Sequence, residues 1–141
     1  MQKEAGSQMT LLYAASRGYD AQVGQLINKK SIVERDDQGN TPLHLASGAG
    51  HVAVVKQLVK ADGVDLNAQN DQGKTALHQA VWRNQAEVIK LLLGASARTD
   101  VKDKDGRLPR DLARDRDIKD LLPKPEGDNE DAWDLGDSDS D

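Results

Sequence analysis

Apolar positions along this chain come in short bursts at helical spacing. Val52, Val55, Leu58 and Val59 form one burst, and Val88, Ile89, Leu92 and Leu93 another. Steps of three and four place each set on one face of a short helix. A shorter burst precedes the first of these, through Leu43, Leu45 and Ala46, and predicts a first helix for the pair. Between bursts lie polar turns. In Asp36-Asp37-Gln38-Gly39 the acid can hydrogen-bond its own backbone and the glycine can take a positive φ. Thr41 then reads as a helix N-cap, with Pro42 at the first helical position, where a missing N–H costs nothing. Gly48 and Gly50 are expected to interrupt the first helix and Gly63 to end the second.

The pattern recurs in register. Asp36 to Ala46 aligns with Asn70 to Ala80, and Gly39 to Gly73 is a step of 34 residues. Gly106, in Asp103-Lys104-Asp105-Gly106, follows 33 residues later. Upstream, Leu11-Leu12-Tyr13-Ala14 precedes Gly18 as Leu43-His44-Leu45-Ala46 precedes Gly50, which makes four copies. Helices this short are not stable alone, so each must bury its face against the next unit. The expected fold is all-α: a right-handed stack of four helix-turn-helix units with turns projecting to one side. The units fall near 7–35, 36–69, 70–102 and 103–122, within a domain over 1–122, and a disordered acidic tail is expected over 123–141. The outer units depart from the pattern as caps. The last has Leu108 where others have threonine, and Arg110, Asp111, Arg114, Asp115, Arg116 and Asp117 suit an outer face in water.

Composition sharpens this picture in three ways. With four aromatic residues, Tyr13, Tyr19, Trp82 and Trp133, the core must be aliphatic. Without cysteine, disulfides and thiolate metal sites are excluded. Charge is unevenly placed: from 123 onward one lysine, Lys124, stands against eight acids, a net of −7. The whole chain carries −5, so the remainder is near neutral at +2. The opening MQKEAGSQMT holds no apolar run like a secretory signal, and no stretch is long enough to span a membrane. The expectation is a soluble protein of the cytoplasm, or of the nucleus as well.

Taken together, Asp36-x-x-Gly39-x-Thr41-Pro42-Leu43-His44-Leu45-Ala46, Gly50-His51, Val54-Val55, Leu58-Val59 and Gly63-x-Asp65-x-Asn67 resemble the ankyrin-repeat family. The third unit matches with Ala76 in the proline place, Asn84-Gln85 for Gly-His, and Ser96 for the glycine after helix two. The resemblance, over roughly 7–122, implies an ankyrin-repeat solenoid that binds partner proteins through its turn tips and concave face and has no catalytic activity. It also implies that His44 and His78 tie the turn to the helix. Outward, partner-facing positions map to Arg35, Asp37, Gln38 and Asn40, to Gln69, Asp71, Gln72 and Lys74, and to Lys102, Lys104, Asp105 and Arg107. On the first helices they map to Ser16 and Arg17, Gly48 and Ala49, and Trp82 and Arg83.

Chemistry competes poorly with this reading. His44 and His78 share one repeat position, so one structural role explains both, and His51 reads the same way. No cluster offers metal ligands at close spacing and no glycine run resembles a phosphate loop. No cofactor, metal or catalytic residue is therefore expected. Trp82 and Arg83 carry the residue types enriched in binding hot spots; the alternative for Trp82 is packing against Arg114 or Arg116. The basic tips Lys74, Lys102, Lys104 and Arg107 are interleaved with acids and lack stacking aromatics, which disfavours nucleic acid. In the tail, Asp131, Trp133, Asp134 and Leu135 form an apolar anchor among acids, the form of a short docking ligand. Two functional readings stay open. In the first, a monomeric chain grips a partner protein, with a basic one escorted or regulated with the tail's help. In the second, the tail is the active docking or nucleic-acid-mimicking element and the repeats carry it.

Overall fold

Threonine starts the first helix in each of the three leading units. Thr10, Thr41 and Thr75 each take an extended backbone and accept a hydrogen bond at the hydroxyl from the N–H three residues on. In the computed structural model, which describes residues 9–123, the helices are α1 (Leu11–Arg17), α2 (Asp20–Leu26), α3 (Pro42–Ala49), α4 (Val52–Val59), α5 (Ala76–Trp82), α6 (Ala86–Gly94) and α7 (Arg116–Asp120). Short 3₁₀ turns lie over Ser31–Val33 and Pro109–Leu112, and the described residues contain no strand.

Pairing follows the repeat. Helices α1, α3 and α5, continued by the 3₁₀ turn Pro109–Leu112, stack as one row; α2, α4 and α6 stack as a second. Each first helix also packs on the second helix of its own unit. The core between the rows is aliphatic and continuous, running from Leu11 and Val23 through Leu43, Val55 and Leu58 to Leu77, Ile89, Ile118 and Leu122.

Four local expectations are corrected. Gly48 does not interrupt its helix: α3 runs through it and ends at Gly50, whose left-handed backbone donates its N–H to the carbonyls of Ala46 and Ser47. Helix α4 stops at Val59, before Gly63 is reached. The first helix of the last unit is only a 3₁₀ turn, where Leu108 N–H donates to Asp111 Oδ2 at 2.8 Å in place of a threonine cap. Arg110, expected in water, is 9% exposed, because the turn that carries it packs against α5. The substitutions for glycine, by contrast, keep glycine's geometry: Asn84 has φ 65° and Ser96 φ 73°.

One buried polar group is out of place. Ser47 is fully buried in α3, and among the described residues its hydroxyl has no hydrogen-bond partner. The same position in the next unit holds Val81, also fully buried. A buried hydroxyl without a partner costs about 1–3 kcal/mol, offset in Ser47→Ala by little lost volume. Ser47→Ala is therefore expected to be neutral or to raise stability by up to about 1 kcal/mol. A urea melt with a clearly lower midpoint for the variant would show that the hydroxyl contributes to the fold.

Candidate interaction face

The projecting turns are built by their own side chains. Asp36 Oδ1 accepts from the N–H groups of Gln38 (2.9 Å) and Asn40 (2.8 Å). Asn70 Oδ1 does the same for Gln72 and Lys74, and Asp103 Oδ1 for Asp105 and Arg107. Burial alone would raise the carboxyl pKa of Asp36 and Asp103, but the backbone N–H donors outweigh it and hold both below the usual carboxylate value.

Consecutive turns are stitched to one another. Asp71 N–H donates to Gln38 O at 3.0 Å, and Lys104 N–H to Gln72 O at 3.0 Å. A second stitch comes from the residue before each turn. Arg35 donates to Gly39 O (2.9 Å) and across to Gln69 O (2.7 Å); Gln69 repeats this with Gly73 O (2.9 Å) and Lys102 O (3.2 Å). Arg35 and Gln69, expected as outward contacts, are exposed, and Arg35 Nη1 and Gln69 Nε2 also join the turns. Asn40 is corrected outright. It is 7% exposed, and its side-chain oxygen accepts from Asn70 Nδ2 at 2.8 Å, so it faces the next unit rather than a partner.

The histidines complete the scaffold. Thr41 N–H donates to His44 Nδ1 at 3.1 Å, which places the proton of the neutral ring on Nε2, and Nε2 donates to Lys74 O at 2.7 Å. His78 repeats this, with Thr75 N–H at 3.0 Å and Arg107 O at 2.9 Å. Burial pushes both imidazoles below their ordinary pKa of 6.5, against carbonyl acceptors that favour the charged form. The unfolded chain then takes up protons at a pH where the folded chain refuses them. Stability is full above about pH 6.5, declines as the pH falls below it, and stops declining on this account once the pH is under the folded values. Urea midpoints measured from about pH 8 to pH 5 should show this slope, and His44→Gln with His78→Gln should flatten it. An unchanged slope in the double variant would assign it to other groups.

Between the turns and the first helices lies an open groove of about 360 Å³, lined in part by Leu45, Gly48, Ala49, Gln79 and Arg83. Gly48 and Ala49 leave it room, since neither carries a long side chain. Gln85 Nε2 donates to Gly48 O at 3.1 Å and fixes this stretch of α3 to the next unit. At the repeat position of Gly48, α5 carries Trp82, which is 48% exposed. The Arg114 guanidinium lies over its ring, 5.0 Å from the centroid. The packing contact weighed from sequence is thus present, and half the indole stays in solvent. Arg83, next to it, is exposed. In the first unit Arg17 lies 5.5 Å over the Tyr13 ring, and Tyr13 meets Tyr19 edge-on at 6.1 Å.

The remaining expected positions divide by what already holds them. Asp37, Gln38, Asp71, Gln72, Lys102, Lys104 and Asp105 are exposed along the tips. Arg107 is held by Asp105 (2.8 Å) and Asp103 (3.4 Å), and Lys74 Nζ donates to Gln72 Oε1 at 3.3 Å. Asp131, Trp133, Asp134 and Leu135 lie outside the described residues. Sequence reasoning missed the Tyr13–Tyr19–Arg17 cluster, which no repeat position signals. No group of His, Asp or Glu that could hold a metal ion occurs among the described residues, and no helix there is long and apolar enough to cross a membrane. A family model for ankyrin repeats, in three copies, matches residues 10–105.

Proposed function

Since this chain belongs to the ankyrin-repeat family, whose repeats are protein–protein interaction modules, we propose that it grips a segment of a partner protein along the groove and the turn tips. The carrying observation is Arg83 in the groove's lining with Trp82 next to it in the chain: an exposed guanidinium beside a half-exposed indole, at the end of a helix fixed from both sides. An apolar side chain of the partner packs beside Trp82, and a carboxylate or carbonyl meets Arg83. The uncommitted polar groups of Asp37, Gln38, Asp71, Lys102 and Lys104 read the partner's rim, with Arg17 beyond the groove in the first unit. The acidic residues after 123 meet a basic surface elsewhere on the partner, steering encounter more than holding the complex. In this reading the chain escorts or regulates a basic protein and performs no reaction of its own.

Capture of partners by the full chain, quantified by mass spectrometry, tests this. Trp82→Ala with Arg83→Ala is expected to lower capture of the main partner tenfold or more, a loss of about 1.4 kcal/mol or greater. Stability should shift by no more than about 1 kcal/mol, since Arg83 is exposed and Trp82 half exposed. Undiminished capture would move the gripping surface elsewhere. Capture lost only when the chain is cut after Leu122 would make the acidic segment the active element and the repeats its carrier.

A further inference from the structure

The groove holds a cation whose charge is unmet among the described residues, and the acidic segment of this same chain carries the opposite charge. Among the described residues Arg83 has neither an ion pair nor a side-chain hydrogen bond, whereas Arg107 and Arg98, nearer the turns and loops, are each already held by aspartate. Arg114 presents its charge at the Trp82 ring and has no carboxylate partner among the described residues. Arg83 itself lines the groove, with Gly48 and Ala49, and the space is the size of a small ligand site; Trp82 and the Arg114 guanidinium over it lie outside that lining, next along the chain from Arg83. What fits is an apolar side chain flanked by carboxylates. Residues 130–135, Glu130-Asp131-Ala132-Trp133-Asp134-Leu135, have that pattern, in a stretch whose net charge is −7 against +2 for the rest.

Reach permits the contact. Trp133 lies eleven residues beyond Leu122, a stretch that spans up to about 36–40 Å when extended. Packed helices are roughly 8–10 Å apart, so two steps along the stack and one across it need about 25–30 Å. A tether of this length also gives an effective concentration of order millimolar. A contact with a Kd of about 0.1 mM between separate molecules would therefore be mostly formed within one.

We propose that residues 130–135 dock in the groove of their own chain, with Trp133 over Gly48 and Ala49 and the carboxylates of Asp131 and Asp134 on Arg83 and Arg114. Asp36 also lines the groove, on its turn side. Its oxygens already accept from Gln38 and Asn40, so the incoming carboxylates lie toward the helices. The inference rests on the groove being the gripping surface and adds its regulation: a basic partner that draws the acidic segment away opens the groove to the partner's own segment.

The chain has no cysteine, so Ser138→Cys gives a single site for a nitroxide label on the full-length protein. Amide signals of Gly48, Ala49 and Arg83 are expected to lose more than about half their intensity, as a mostly docked segment requires. Those of Ala53 and Lys90, on the outer side of the second row, should keep theirs. Adding Trp133→Ala should restore the groove signals. Three results would overturn the proposal: no localised loss, loss confined to Lys74, Lys102 and Lys104 at the tips, or loss arising between labelled and unlabelled molecules. None of these touches the capture experiment. A groove free of the segment that still loses its partner on Trp82→Ala with Arg83→Ala leaves the gripping surface standing.

Discussion

Leu77→Ala is expected to lower the stability of the stack by about 2–5 kcal/mol. Leu77 is 1% exposed and sits in α5, the one helix that touches α3, α6 and the 3₁₀ turn of the last unit. Truncation there opens a space in the helix that packs in three directions, and the surrounding helices are fixed by caps and stitched turns, so they relax little into it. A domain of this size is stable by only about 5–15 kcal/mol in total. Because each unit gains its stability from its neighbours, losing the middle of the row loosens both sides of it. Ile118→Ala, in the five-residue helix α7 of the last unit, should cost less, since among the described residues no unit packs beyond it. Urea unfolding of the parent and both variants, followed by circular dichroism, checks the order. A Leu77→Ala midpoint close to the parent's would mean that the core is not centred where α5 lies.

Gly73→Ala is expected to cost roughly 2–4 kcal/mol, from two sources that can be separated. Its φ of 79° is unfavourable for any residue with a Cβ. An added Cβ would also lie 2.8 Å from Lys104 N and 3.1 Å from Asp103 Cα, and both are backbone atoms that cannot swing aside. Gly106 supplies the control. Its φ is 78°, yet nothing lies within 4 Å of the position its Cβ would take. Gly106→Ala should therefore carry only the conformational cost, about 1–2 kcal/mol. The difference between the two variants measures how tightly one turn seats on the next. Equal losses would show that the turns tolerate separation and that their stitches contribute little.

These expectations show which parts of the molecule a linear reading can reach. The turn acids, the capping threonines and the apolar faces are local: each needs partners two to four residues away, and the repeat presents them more than once. The shared position of His44 and His78 was enough to assign them to the scaffold for the same reason. What escaped the sequence depends on partners some thirty residues away. Asn40 looks like a turn-tip residue until Asn70 meets it across the unit boundary, and Arg35, though exposed, gives its Nη1 to Gln69 O of the next unit. Arg110 is hidden because a truncated helix lays it on α5, which no charge pattern reveals. The exposure of Trp82 and Arg83 was legible from their repeat position. The groove that Arg83 lines was not, because it is a space left by two small residues rather than a group supplied by large ones.

The stitches between turns also make length an adjustable property. Gln38 O receives the second turn's successor and Gln72 O the next, so the following acceptor in the series is Asp105 O, which no backbone N–H meets among the described residues. Each joint is the same joint, closed by the same two backbone atoms one period further on. A chain made this way can gain or lose a module without inventing a new contact, as a ladder gains a rung. The span of surface offered to a partner is then set by counting, and recognition can be retuned at single rungs while the rails stay as they are.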